Sequence, residues 1–179
     1  MSNNDPRLEK PLHYYDDKTP SQYEVALRSV GEIIQDYDSD QQFPVLGFGA
    51  RVPPTNQVSH EFFVNLSSSP FCSGVDGVAE AYRKCVQCVM PHGAVNFAPI
   101  IRHVTRFAAS YKNGDHYFIL LILTCGSICD MPETKQALID ASTLPLSVII
   151  VGIGKFCLKK INFAYYSVQL RSCGNLHSI

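Results

Sequence analysis

Two uninterrupted apolar runs restrict this chain more than any other feature. "HYFILLILT" (116–124) and "LPLSVIIVGIG" (144–154) are each long enough for one strand and too short to span a bilayer. Between them, "MPETKQALIDAST" reads as a helix with Pro132 at its start. A fully apolar strand, a helix and a second apolar strand form the pattern of two parallel strands joined by a crossover. The implied class is α/β, with a mostly parallel sheet and helices on both faces.

The chain upstream repeats the theme. Residues 1–20 are polar and rich in turn formers, with Pro6, Pro11 and Pro20, and read as an N-terminal loop. Tyr23, Ala26, Leu27, Val30, Ile33, Ile34 and Tyr37 share one helix face, with Ser21 as its cap. "FPVLGFGA" (43–50) reads as a nearly continuous strand and "SHEFFVN" (59–65) as an edge strand. Val75, Val78, Ala79, Tyr82, Cys85, Val86 and Val89 predict a second helix. Phe97, Ile100, Ile101, Val104, Phe107, Ala108 and Tyr111 predict a third, with Asn96 as its cap and Pro99 in its first turn. The domain therefore runs over 21–154. Residues 155–179 mix apolar and basic side chains without a period and read as a divergent tail, in which "NFAYYSVQL" alone has strand character.

Apolar residues make up 46% of the 179 and charged residues 17%, a globular balance. A net charge of −1 gives no footprint for nucleic acid or for an anionic membrane. No apolar signal core opens the chain, so a cytoplasmic setting is expected. Seven cysteines, an odd number, argue for free thiols rather than a disulfide framework.

"VGEIIQDYDSD" (30–40), "FPVLGFGA" (43–50), "VSHEFFVN" (58–65), "NFAPIIRHVTRFAA" (96–109) and "LPLSVIIVGIG" (144–154) follow one another as they do in the copine family. Over roughly residues 2–154 the chain resembles that family's C-terminal von Willebrand factor A-like domain, truncated at both ends. The resemblance implies a three-layer Rossmann-like fold whose first, central strand is missing here. That strand would stand between the strands at 43–50 and 116–124. It also implies a non-catalytic module that binds other proteins. Calcium-dependent phospholipid binding, and any recruitment to the plasma membrane, belongs in the family to two C2 domains, which nothing in this sequence resembles.

In the family the A-like domain has a metal-ion-dependent adhesion site for Mg²⁺ or Mn²⁺. Its ligands come from an Asp-x-Thr-x-Ser turn, from the Thr of a Gly-Pro-Thr-Asn-Phe loop and from the Asp of a Thr-Asp-Gly turn. This chain departs at all three. Only Ser2 matches the end of the first motif, Val95 replaces the Thr and Cys125 replaces the Asp. A valine has no donor atom, and a thiol is too soft for a hard dication that wants oxygen ligands. The site is therefore read as degenerate and no metal cofactor is expected. The corner made by Ser2, Asn3, Asn96, Cys125, Gly126 and Asp130 is the expected protein-binding face.

Other candidates weigh less. Cys125 as a redox thiol or hydrolytic nucleophile is the alternative to a non-enzyme; it needs a neighbouring base, and only a distant His92 or His103 is on offer. Cys85 and Cys88 have C-x-x-C spacing and, with Cys125 and Cys129, the makings of a soft-metal site, but buried inert thiols are the simpler reading. The glycines of "GFGA" and "GIGK" suit tight turns, since neither continues as a dinucleotide fingerprint. Asp36, Asp38 and Asp40 lack the Gly and Glu of a calcium loop and read as a solvated helix end.

Overall fold

A computed structural model describes residues 12–14, 19–92, 94–111, 116–126 and 128–154. The expectations for Ser2, Asn3 and the tail, "NFAYYSVQL" included, lie outside them.

Helices and strands are mixed, as the patterning requires. The parallel unit is present: β8 (Phe118–Thr124) and β9 (Leu146–Gly152) pair in register from Phe118↔Leu146 to Thr124↔Gly152, joined through α4 (Met131–Ala141). One face of this pair presents Ile122, Leu146 and Val148 to Phe97, Ala98, Ile101 and Ala108 of the α3 region (α3, Ala98–Ser110) and to Ala137 and Ala141 of α4. Small residues on both helices let them lie close to the strands. Ile101 and Ala108 are wholly buried, so loss of a single methylene there would leave a cavity.

Upstream the pairing is antiparallel, which corrects the expectation of a mostly parallel sheet. Instead of one strand, 43–50 forms β1 (Gln42–Pro44), β2 (Leu46–Gly47) and the start of β3 (Ala50–Val52). β1 pairs with β6 (Phe71–Ser73) and β2 with β5 (Phe62–Phe63). β3 pairs with β4 (Gln57–Ser59) and β7 (Met90–Pro91). The physical reason lies in three residues. Pro44 has no N–H to give a ladder. Val45 changes partner: its N–H donates to the Pro70 carbonyl at 3.0 Å, and its own carbonyl accepts from Val64 N–H at 3.1 Å. Gly49 then turns the chain at φ +69°, a left-handed conformation that favours glycine. At the far end Gly154 has φ +91°, and a Cβ there would stand 3.2 Å from buried Leu12. The tight-turn reading holds for Gly49 and Gly154; Gly47 and Gly152 lie instead within β2 and β9.

α1 (Gln22–Gln35) and α2 (Gly74–Cys88) pack on each other. Ser21 caps α1 as expected, accepting from Glu24 N–H at 3.1 Å. The predicted apolar face of α1 is only partly right, because Ile33 is 65% and Tyr37 84% exposed. What α1 buries most completely is a charge. Glu24, 1% exposed, accepts from Arg83 Nε and Nη2 of α2, both at 2.9 Å, and from Arg28 Nε at 3.2 Å. Burial pushes the Glu24 carboxyl up, and the two guanidiniums outweigh it, leaving the group below its ordinary range. Arg28 also reaches Asp76 of α2 at 2.6 Å. A buried carboxylate is tolerated because its oxygens are occupied by cations that remain partly in water.

His13 completes this contact. Its ring stacks on Tyr23 of α1 at 4.2 Å, and Nδ1 lies 2.7 Å from the Tyr82 hydroxyl of α2. Burial lowers the imidazole from 6.5 to about 4. Between those values the unfolded chain holds the proton and the folded chain does not, so stability is full above 6.5 and declines as the pH falls towards 4. The melting temperature is expected to drop over this window, and a His13→Phe variant, which stacks but cannot titrate, should show a flatter profile by circular dichroism.

Candidate functional site

The carboxyl ends of β8 and β9 meet the loop before α3, and the predicted corner forms there. Thr124, 2% exposed, ends β8; its carbonyl accepts from Ile153 N–H at 2.7 Å, and its hydroxyl lies 3.4 Å from Gly126 N. Val95 forms a parallel bridge with Ile128, and Cys129 N–H donates to the Val95 carbonyl at 2.8 Å. Val95, Asn96, Cys125, Gly126 and Asp130 are each half-buried, and Cys129 is exposed. Five of the predicted positions are thus brought onto one corner by β8, the loop after it and the start of α3.

Asp130 is the organising side chain. Its Oδ1 accepts from Phe97 N–H at 3.0 Å and its Oδ2 from Ala98 N–H at 2.9 Å. The Thr134 hydroxyl adds a third bond to Oδ1 at 3.0 Å, and Thr134 N–H donates to the Asp130 carbonyl at 2.8 Å. One carboxylate therefore satisfies the orphan N–H groups at the start of α3 while its own backbone opens α4. This corrects the assignment of Asn96 as the α3 cap. The capping position is Phe97, no side chain of the α3 segment caps it, and the acceptor comes from the loop after β8. The negative charge also sits where the α3 dipole favours it.

The metal-site geometry follows from these contacts. Val95 offers no side-chain donor, and Cys125 offers sulfur. Asp130, the carboxylate at the corner, has both oxygens committed to backbone N–H groups. Among the described residues no group of three or more His, Cys, Asp or Glu converges on a point that would hold a metal. The four-cysteine soft-metal idea has no support in that geometry either. Cys85 is buried with Val64, Cys72, Val78 and Ala81, in a different cluster from the one beneath the corner.

The thiols differ sharply among themselves. Cys72 and Cys85 are buried and Cys88 and Cys129 exposed, so the expectation of buried thiols holds for Cys85 and is corrected for Cys88. Burial, with a smaller contribution from Cys88, pushes the Cys85 thiol up to about 11. His103, one of the two bases considered for Cys125, pairs instead with Glu61 and lies beside Phe107; His92 lies against Arg51.

The copine family model matches residues 11–164. This chain belongs to the copine family. No helix among the described residues is long and apolar enough to cross a membrane.

The Asp130 contacts were missed by the sequence reading, which placed Asp130 on the corner without a role. One signal was present: an Asp directly before Met131-Pro132 marks a helix start. Its bonds to α3, more than thirty residues away in the chain, had none. Replacing Asp130 with Ala is expected to destabilise the fold by about 2 kcal/mol, as loss of a helix cap does. Urea denaturation measures it, and faster amide exchange at Phe97 and Ala98 should accompany it. Brief alkylation with iodoacetamide at pH 8, read by peptide mass spectrometry, should label Cys88 and Cys129 well before Cys72 and Cys85.

Proposed function

We propose that this chain is a non-catalytic protein-binding module with the three-layer A-type arrangement, whose adhesion-type metal site no longer takes a cation. The family membership supports the module. The single observation that carries the loss of metal is the corner's donor set: a hydrocarbon at Val95, a sulfur at Cys125 and a carboxylate at Asp130 already used as a helix cap. Mg²⁺ demands near-octahedral oxygen ligands and gives up water reluctantly, so such a set does not compete with solvent.

Partner proteins then dock on Asn96, Cys125, Gly126 and Asp130 through shape and hydrogen bonds, without a bridging ion. Nucleic acid is not a partner, and lipid enters only through C2 domains elsewhere in a copine. The module works in the cytoplasm and at the plasma membrane when such domains bring it there. Isothermal titration of the chain with MgCl₂, MnCl₂ and CaCl₂ tests the reading. No heat of binding is expected in the micromolar range; a micromolar site that Cys125→Ala abolishes would overturn it.

A further inference from the structure

The loop between β5 and β6 presents three serines to solvent, Ser67, Ser68 and Ser69. Ser67 is committed to the loop itself: its Oγ donates to the Ser69 carbonyl at 2.8 Å and accepts from Ser69 N–H at 3.3 Å. Asn65 ties the same turn, with Nδ2 donating to the Ser69 carbonyl at 2.6 Å and Oδ1 accepting from Ser67 N–H at 3.2 Å. The hydroxyl of Ser69 makes no hydrogen bond among the described residues. Pro70 ties the loop to the antiparallel strands, its carbonyl accepting from Val45 N–H at 3.0 Å. Exposed loop bonds that rest on side chains open locally at low cost.

Ser69 stands directly before Pro70, and a residue before proline is held towards an extended backbone. No charged residue occurs between Glu61 and Asp76. An enzyme that finds its acceptor by neighbouring acidic or basic side chains has nothing to read here, and the proline alone marks a position. One other hydroxyl in the chain precedes a proline, Thr19 before Pro20. The fold treats it differently. Thr19 already makes a contact of its own, and two residues on, Ser21 is 1% exposed. Ser21 caps Glu24 N–H and lies 3.0 Å from the Tyr82 hydroxyl. Drawing 19–21 out as an extended segment would uncap α1. Drawing out 67–70 releases the loop's own bonds and those at the Pro70 carbonyl.

We propose that Ser69 is a phosphorylation site for a proline-directed serine/threonine kinase, and that the folded chain withholds Thr19 from the same enzyme. Ser69 Oγ attacks the γ-phosphorus of ATP, and the bond from that phosphorus to the bridging oxygen breaks. ADP leaves, and the hydroxyl proton passes to the carboxylate base of the kinase. Pro70 has no N–H, so a kinase pocket without a hydrogen-bond acceptor at that position receives it at no cost. Any other residue would bring an N–H that is left unpaired there. The product carries a charge of about −1.5 to −2 at pH 7. It becomes the only charge between Glu61 and Asp76. The site involves neither the corner nor a cation, so failure here leaves the metal titration untouched.

The test incubates the 179-residue chain with ATP, Mg²⁺ and a purified kinase of the cyclin-dependent or mitogen-activated class, and locates phosphate by peptide mass spectrometry. Synthetic peptides spanning 13–25 and 63–75 are run beside it. The expected result is one phosphoryl group per chain, on Ser69. Ser69→Ala should lose it, and Pro70→Ala should slow it by about tenfold or more, the discrimination one lost pocket contact gives. Both peptides should be labelled, since each has its hydroxyl before a proline, while Thr19 stays unlabelled in the folded chain. Circular dichroism confirms that both variants keep the fold, and the comparison of chain with peptides needs no variant. Four results overturn the proposal. The 63–75 peptide is labelled and the chain is not, which means that the loop does not open. Neither is labelled, which means that Ser69-Pro70 is not recognised. Phosphate falls on Ser67, Ser68 or Thr19 as fast as on Ser69, which means that the folded loop selects nothing. Pro70→Ala leaves the rate unchanged, which means that the proline is not read.

Discussion

The corner of this molecule depends on one carboxylate holding two helix starts. Asp130 lies in the short connection after β8, yet its oxygens accept from Phe97 and Ala98 at the start of α3. The start of α3 carries Phe97, at its capping position, and Ile101, the largest fully buried side chains among the described residues. A small error in where α3 begins would move both out of the cluster formed with Ile122, Leu146 and Val148. The cap and the core therefore stabilise one another: packing holds the N–H groups at bonding distance, and the charge-assisted bonds fix the register at which packing occurs. The same commitment limits what the corner can do. A carboxylate that terminates a helix dipole is not also available as a strong ligand to a dication.

The parts legible in the sequence were those whose signal is local. The apolar runs at 116–124 and 144–154 with a helix between them gave β8, α4 and β9, because an unbroken apolar strand and a crossover helix both leave contiguous marks, although Ile119 and Ile149 stand 43% and 40% exposed rather than buried. Ser21 was legible for the same reason, three residues from the N–H it caps. Cys85 was readable as buried from helical register, whereas its C-x-x-C partner Cys88 is exposed. Most misread elements had determinants far off in the chain; in 43–50 the dividing Pro44 and Gly49 are local, and only the change of partner at Val45 depends on distant residues. Asn96 sits where a local cap belongs, but the acceptor comes from Asp130. The segment 43–50 looks continuous in hydrophobicity and is divided by Pro44, by the change of partner at Val45 and by Gly49. Glu24 gave no warning, since a charged residue on a helix is ordinarily solvated. Its burial depends on Arg83, which reaches it from another helix.

Of the candidate site, the positions were legible and their roles were not. Val95, Asn96, Cys125, Gly126 and Asp130 do share a corner, yet comparing residue types at matched positions does not reveal which atoms remain free. Substitution at two ligand positions suggests a weakened site. The bonds made by Asp130 add that the carboxylate closest to hand is already in use. The thiols make the same point from the other side. Seven cysteines look uniform in a sequence, and burial alone sets Cys72 and Cys85 apart from Cys88 and Cys129.

The buried residues fall into two clusters, and among the described residues no sheet joins β8 and β9 to the antiparallel strands. Among the described residues the two parts meet through side-chain contacts, such as Phe48 against Phe97, rather than through a ladder of backbone hydrogen bonds. Side-chain contact is weakly directional, whereas a ladder fixes position residue by residue.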